Sequence, residues 1–457
     1  MKPAAYGDYK LSGSQWLGEI PSHWSVKKLK FLATVQPSNV DKKTVEGEDP
    51  VILCNYTDVY KNEYIDSRLD FMQASATADE IKKFAVDIGD VIVTKDSETP
   101  DDIAVPACVA EKIDGLLCGY HLTQIKPIDL DGRYLFRLFQ SKGFNAQFTI
   151  AANGVTRFGL PQHAIANAPS PIPPMDEQQA IARFLDFKTA QIDALIAKKK
   201  ILLEKLAEKR TALISHAVTK GLDPSAPMKD SGVEWLGGIP SHWLPKRLRF
   251  CMNTNPSKGE IKLGDDDLVS FVPMEAVGKF GGLNLDAQKE LGDIGGGYTY
   301  FADNDVVVAK ITPCFENGKG AIARGLKNGI AFGTTELHVM RSGDALLPDY
   351  LFHLTMSHPF RCIGESEMYG AGGQKRVPET FLKDFRIGLP PTNEQQDIVE
   401  YINKVNQKID LQMSKATDVI DRLTEYRAAL ITNAVTGKID VRDFPIPDPV
   451  AKELCDA

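Results

Sequence analysis

Two glycine-rich stretches carry side chains suited to binding phosphates or base edges. ANGVTRFG (152–159) offers Thr156 and Arg157, and GAGGQKRV (370–377) offers Gln374, Lys375 and Arg376. Glycine lets a backbone approach a ligand closely, and Arg, Lys and Gln donate to phosphates and base edges. A third polar loop, KITPCFENGKGAIARG (310–325), holds Lys310, Thr312, Asn317 and Lys319 between apparent strands. Basic strips also recur, as Lys27, Lys28, Lys30 and as Lys246, Arg247, Arg249. One charged cluster is most often a solvated face. The same clusters at equivalent points of two halves leave binding and a solvated face as equal alternatives.

Catalytic patterns are missing. The chain has no GxxxxGK[ST], HExxH or GxSxG, and its eight histidines are dispersed without metal-like spacing. No catalytic and no metal site is expected. Seven cysteines lie far apart with no CxxC, which reads as reduced thiols. The net charge of −8 argues mildly against nucleic acid, so any such contact must come from local clusters. No run approaches the roughly 18 apolar residues of a membrane helix, and the first residues have no signal-peptide core. The expectation is a cytoplasmic protein without a membrane partner.

The elements that position these loops are themselves repeated. WLGEIPSHW (16–24) returns as WLGGIPSHW (235–243), with eight of nine positions equal. PPMDEQQ (173–179) returns as PPTNEQQ (390–396), and EKRTALISHAVTKG (208–221) as EYRAALITNAVTGK (425–438). The chain is a tandem duplication of a long block followed by a shorter segment. The expected boundaries are a domain over 1–175, a helix over 176–221, a domain over 222–391, a helix over 392–440 and a tail over 441–457.

In the shorter segments Asp176 and Asn393 suit helix N-caps, with glutamine three residues on. The apolar positions run at 4-3 spacing: Ile181, Leu185, Ile192, Leu195, Leu202, Leu206, Leu213, then Ile398, Ile402, Val405, Ile409, Val419, Leu423, Leu430. That spacing is the seam of a left-handed coiled coil of helices about 60 Å long, the alternative being that each helix packs separately on its own domain; the expected arrangement is an antiparallel pair with the halves related by a pseudo-twofold axis. The long blocks mix β-branched runs such as VDIGDVIVTKDS (86–97) with short helical patterns, so each reads as an α+β domain. The repeated tryptophan motif reads as a structural arm. Glu177, Gln178, Glu394 and Gln395 read equally well as partner contacts or as first-turn residues suiting a helix dipole.

KDSGVEWLGGIPSHW, the paired PPxxEQQ helices, and KITPCFENGKGAIA with downstream FGTTELHVM (332–340) resemble the specificity (S) subunit of type I restriction–modification systems. The resemblance covers essentially the whole chain. It implies two target recognition domains, each reading half of a split double-stranded DNA target. It implies that the helices set the half-site spacing and dock two methyltransferase (M) subunits, through Glu177, Gln178, Glu394 and Gln395. Two restriction (R) subunits would complete the complex. S-adenosylmethionine would sit in the M subunits, which methylate adenine, and ATP and Mg²⁺ in the R subunits; this chain would hold no cofactor. DNA contact would fall on Thr156, Arg157, Gln374, Lys375, Arg376, Lys310, Thr312, Asn317, Lys319, Thr334 and Thr335, with Lys27, Lys28, Lys246 and Arg247. GVTRFG departs from the Gln-Lys form at 374–375. Two other readings compete: a nuclease or methyltransferase-fusion fragment, which predicts activity of the chain alone, and a scaffold that binds no DNA.

Overall fold

A computed structural model of the chain describes residues 4–371 and 373–445. The end of the expected tail, 446–457, lies outside the described residues. The chain divides into two compact units. The first comprises residues 1–199 and 418–457, and the second residues 200–417. The first long helix (Met175–Lys220) and the second (Thr392–Val435) each contribute to both.

The first unit is an α+β domain. A mixed five-stranded sheet places Leu122–Pro127 between Ala33–Pro37 and Val91–Thr94, followed by Pro106–Val109 and Tyr64–Ile65. All four residues of Val91–Thr94 are buried, which is why this strand reads as a continuous apolar run rather than an alternation. The adjoining helices Gly132–Phe139 and Lys142–Ala151 pack Phe139, Phe144 and Phe148 in a ring cluster with centroids 5.2–5.4 Å apart. The second unit repeats the plan with a four-stranded sheet of Met252–Thr254, Leu337–Ser342, Val306–Ala309 and Gly320–Ile322. Helices Pro348–Met356 and His358–Ser366 follow it.

The repeated nonapeptide fixes where a long helix ends. In the first unit Trp24 is fully buried, and Gly437, at φ +71°, turns the chain out of the second long helix against Pro21 and Trp24. In the second unit buried Trp243 and Pro240 meet Gly221, at φ +78°, past the end of the first long helix. A Cβ on Gly437 would lie 2.3 Å from Pro21, so only glycine fits there. Beside these contacts, the Tyr134 hydroxyl donates to the Val435 carbonyl, and the Tyr350 hydroxyl to the Val218 carbonyl. Two orphan carbonyls at helix ends are thereby satisfied.

Within each unit the helical segments run antiparallel. In the first, Phe184 packs on Phe444 while Asp193 pairs with Arg427. In the second, Arg210 pairs with Asp410 while Gly221 lies against Glu394. The seam differs from the expected one. Leu195, Leu202 and Val419 are 48%, 41% and 38% exposed. Ile192, Leu206, Ile402, Ile409 and Leu423 of the expected seam do face inward, in rows that run Ile192, Ile196, Lys199, Leu203, Leu206, Arg210 on the first helix and Ile402, Asn406, Ile409, Met413, Ala416, Ile420, Leu423, Arg427 on the second. Leu213 and Val405 are half-buried, while Ile181, Leu185, Ile398 and Leu430 are buried in their units' cores. The true rows keep the 4-3 spacing but step by four where the expected one stepped by three. The periodicity is compatible with both phases because leucines stand at 202 and 203 alike. Packing selects the row that includes Arg210 and Arg427, whose long stems lie in the seam while their guanidinium groups reach carboxylates.

Candidate nucleic-acid interface

Each unit brings three loops together at the ends of interior strands of its main sheet, held by the same backbone bonds. In the first unit the Lys95 amide donates to the His121 carbonyl at 3.0 Å, and the Leu160 amide to the Lys95 carbonyl at 2.7 Å. In the second the Lys310 amide donates to Glu336 at 2.9 Å, and the Val377 amide to Lys310 at 2.8 Å. The glycine-rich segments are thus pinned beside the loop that follows a buried strand. Gly154, at φ +151°, lets 153–154 pair with 158–159, which in turn pairs with Asp96–Ser97. Arg376 bridges Ile311 and Tyr369 in the second unit.

The cradles carry opposite charge. In the second unit Gln374, Lys375 and Thr335 are exposed, and Lys310 is half-buried beneath them. Thr312 donates its hydroxyl to the Lys375 carbonyl at 3.2 Å, which fixes the loop. Arg376 is taken up internally: Nε and Nη2 meet both oxygens of Glu336 at 2.9 and 2.8 Å. Its hydrogen bonds hold the Glu336 carboxyl below the usual range. Lys319 is likewise occupied, donating to the Met274 carbonyl at 2.7 Å. Asn317 is exposed and Thr334 half-buried. The family resemblance placed Arg376 and Lys319 among the DNA contacts; the structure gives them loop-holding bonds.

In the first unit Thr156 and Arg157 are exposed at the hairpin tip, on the rim of a cleft of about 530 Å³. The cleft is lined by Asp96, Glu98, Asp102, Tyr56 and Tyr60. The tyrosine rings stack with centroids 5.5 Å apart, and the Tyr60 hydroxyl donates to Asp102 at 2.6 Å. His121 Nδ1 lies 2.5 Å from Asp96. These residues were missed from sequence. Only the i, i+4 tyrosines were a visible signal, and they come next to the carboxylates through the fold. Lys95 covers the Tyr120 ring at 4.6 Å and donates to the Ser38 carbonyl; burial lowers its pKa.

The other expected residues lie elsewhere in each unit. Lys27 and Lys28 are exposed on a strand paired with Pro169–Ile172, and Lys246 (half-buried) and Arg247 (exposed) on a strand paired with Arg386–Leu389. Glu177 is 2% exposed; it accepts from Trp24 Nε1 at 3.0 Å and also meets Tyr6 and His23. Gln178 accepts from the Asp131 amide and donates to the Pro173 carbonyl. Gln395 accepts from the Leu347 amide and donates to Ala345 and Pro390. These three side chains are spent inside their units, so direct partner contact is closed to them. Glu394 remains half-buried and pairs with His242 at 2.7 Å. Among the described residues no group of three or more His, Cys, Asp or Glu is placed to hold a metal, and no helix is long and apolar enough to cross a membrane.

Comparison with known proteins gives a consistent result. The family model described as the type I restriction modification DNA specificity domain matches residues 21–205 and 296–421. The chain is 35% identical over 240 residues to the type I restriction enzyme EcoEI specificity subunit of Escherichia coli, covering 51% of this chain and 39% of that one. The EcoAI specificity subunit of the same organism gives 35% over 239 residues, so the alignments span about two fifths of these relatives. A putative type I restriction enzyme MjaX specificity subunit of Methanocaldococcus jannaschii is 23% identical across 93% of this chain and 96% of its own. Among solved structures, a chain from a study of complex assembly and conformational transition of the type I R-M system matches with TM-score 0.69 at 15% identity, covering 92% of this chain and 99% of that one. The HsdS subunit of Thermoanaerobacter tengcongensis matches with TM-score 0.51 at 16% identity, covering 95% and 99%. At these identities the structural likeness concerns the fold. With the family model spanning most of the chain, the protein belongs to the type I restriction–modification DNA specificity family.

Proposed function

We propose that the chain is the non-catalytic specificity subunit of a type I restriction–modification complex, with each unit reading one part of a split double-stranded DNA target. The observation that carries this is the cradle built twice on one backbone plan from different side chains. A constant frame with variable contacts is what two readers of different sequences require. In the second unit Gln374, Lys375, Thr335, Lys310 and Asn317 are the reading side chains, and in the first Thr156 and Arg157. The chemistry belongs to partners: methyltransferase subunits that use S-adenosylmethionine to methylate adenine, and restriction subunits that use ATP and Mg²⁺. The long helices set the spacing between half-sites and contribute to methyltransferase docking. A cytoplasmic location follows from that role.

The test is to co-express the chain with its methyltransferase subunit in a methylation-free host and map modified adenines. A split motif with a fixed spacer is expected, and exchanging residues 30–165 should alter only one half. A stable complex that methylates nothing would leave the scaffold reading instead.

A further inference from the structure

The two cradles share a backbone frame, and strand pairing fixes which of their residues correspond. Thr94 faces Leu122 in the first unit, and Ala309 faces Leu337 in the second. One residue further on, the Lys95 amide meets the His121 carbonyl, and the Lys310 amide that of Glu336. Around this point the side chains have diverged: Asp96 corresponds to Ile311, Tyr120 to Thr335 and His121 to Glu336. Lys95 and Lys310 have not. Each lysine is also the node of its frame, because its carbonyl accepts from the glycine-rich segment, through Leu160 at 2.7 Å or Val377 at 2.8 Å. Those bonds run through backbone groups that any residue but proline supplies. The lysine side chain therefore needs a reason of its own.

The surroundings leave its charge unpaired. Both lysines are half-buried. Lys95 donates to the Ser38 carbonyl at 2.9 Å and covers the Tyr120 ring at 4.6 Å, and both partners are neutral. An ammonium carries three N–H donors, so two remain for a ligand. The acids beside the lysines are engaged elsewhere. Asp96 is bonded to His121, and both oxygens of Glu336 are taken by Arg376. Among the described residues those acids pair with His121 and Arg376, and neither lysine forms an ion pair. Readers of different sequences need different base contacts, which the diverged side chains supply. What two half-sites share is the phosphate backbone, which carries no sequence information and fixes register. An unpaired cation kept at the same point of both frames matches that shared ligand.

We propose that Lys95 and Lys310 are equivalent phosphate contacts, one in each unit, that hold the cradle against the DNA backbone and read no base. This rests on the specificity-subunit reading above and refines it: Lys95 joins the contacts of the first unit, and Lys310 takes a phosphate rather than a base edge. The test uses the full chain co-expressed with its methyltransferase subunit, as wild type and as Lys95→Met, Lys310→Met and the double variant. Methionine keeps an apolar stem and removes the charge, so a lysine that only covers the sheet end would not be missed. Filter binding is measured against salt on a duplex with the mapped motif and on duplexes with either half-site scrambled. Each single variant should bind all these duplexes about eightfold more weakly at about 0.1 M salt, and lower the slope of log affinity against log salt by about 0.9. The double variant should lose about sixtyfold and about 1.8 in slope. The motif read by adenine mapping should stay unchanged. Lys95→Arg and Lys310→Arg, which keep the charge, should bind as the wild type does, and Lys95→Gln and Lys310→Gln repeat the test where a methionine variant melts lower. A neutral variant with wild-type affinity and slope overturns the proposal and leaves the stem as sheet cover. One that changes base preference at its half-site also overturns it, and makes the lysine a base reader. A wild-type complex that binds the mapped motif no better than scrambled DNA takes down the specificity-subunit reading itself, and this proposal with it.

Discussion

Arg137 in the first unit and His353 in the second stand three residues past Tyr134 and Tyr350, the tyrosines that cap a helix end. Both are buried, but Arg137 is charged and paired while the Nδ1 of His353 has no hydrogen-bond partner among the described residues. Arg137 is 1% exposed and donates to Asp186, Glu63, Thr189 and Gln140. Burial alone would raise the Glu63 carboxyl, yet Arg137 and Arg427 outweigh it and hold it below its usual value. In the second unit the position eight residues past the buried glutamine is Asn403 rather than Asp186, and His353 is neutral, pushed down to about 4 by burial. Arg427 adds Glu63 to its bond with Asp193, whereas Arg210, paired with Asp410, lies 5.8 Å from the Phe280 ring. Duplication therefore preserved the bonds to backbone groups and left the side-chain network free to change. A backbone carbonyl at a helix end is the same in any sequence. A buried charge must change together with all its partners or not at all.

The sharpest way to break the comparison is to remove one member of the charged network. Arg137→Met should cost about 1–3 kcal/mol, because half-buried Asp186 and Glu63 lose one cation while Arg133 and Arg427 stay with them. Arg137→Met with Asp186→Leu should recover much of that loss. Denaturant titration checks these together with Asp186→Leu alone, and a double-variant cost equal to the sum of the two single costs would show that the network is not coupled. The neutral counterpart makes the second unit acid-sensitive. His353 binds its proton near pH 6.5 when unfolded and near 4 when folded, so its contribution is complete above pH 6.5 and is lost as pH falls toward 4. The loss amounts to about 3 kcal/mol at pH 4. Melting curves from pH 7 to 4 should show it, and His353→Gln should flatten the slope.

The tryptophans offer a smaller contrast. Trp24 Nε1 donates to buried Glu177, while Trp243 Nε1 finds no acceptor among the described residues. Trp24→Phe should cost about 1 kcal/mol more than Trp243→Phe, the difference being the hydrogen bond that Glu177 loses while Tyr6 and His23 stay with it. In the cradles, Lys375→Ala should lower discrimination at one half-site by about 1–3 kcal/mol, read by competition binding among variant DNA targets. Lys28→Ala, whether it meets a phosphate or a partner, should leave sequence preference unchanged.

The duplication, the two long helices and the tryptophan arm were legible because they are local or repeated patterns. Helix periodicity and caps, β-branched runs and glycine stops act over a few residues, and the sequence carries them directly. The coiled-coil phase was not legible: Leu202 and Leu203 serve either row, and only packing against the other helix chose between them. The roles of Glu177 and Gln178 were equally hidden. Their context is set by Trp24, 153 residues away, and by Asp131, 47 residues away. Arg376 reads as a base contact until Glu336 is placed beside it, and the acidic cleft of the first unit exists only where separate loops meet. Sequence alone determined the repeated frame, since each part of it is stabilised by near neighbours. Tertiary structure decided which charges are free to meet a ligand, because a charge is free only when no distant partner has already satisfied it.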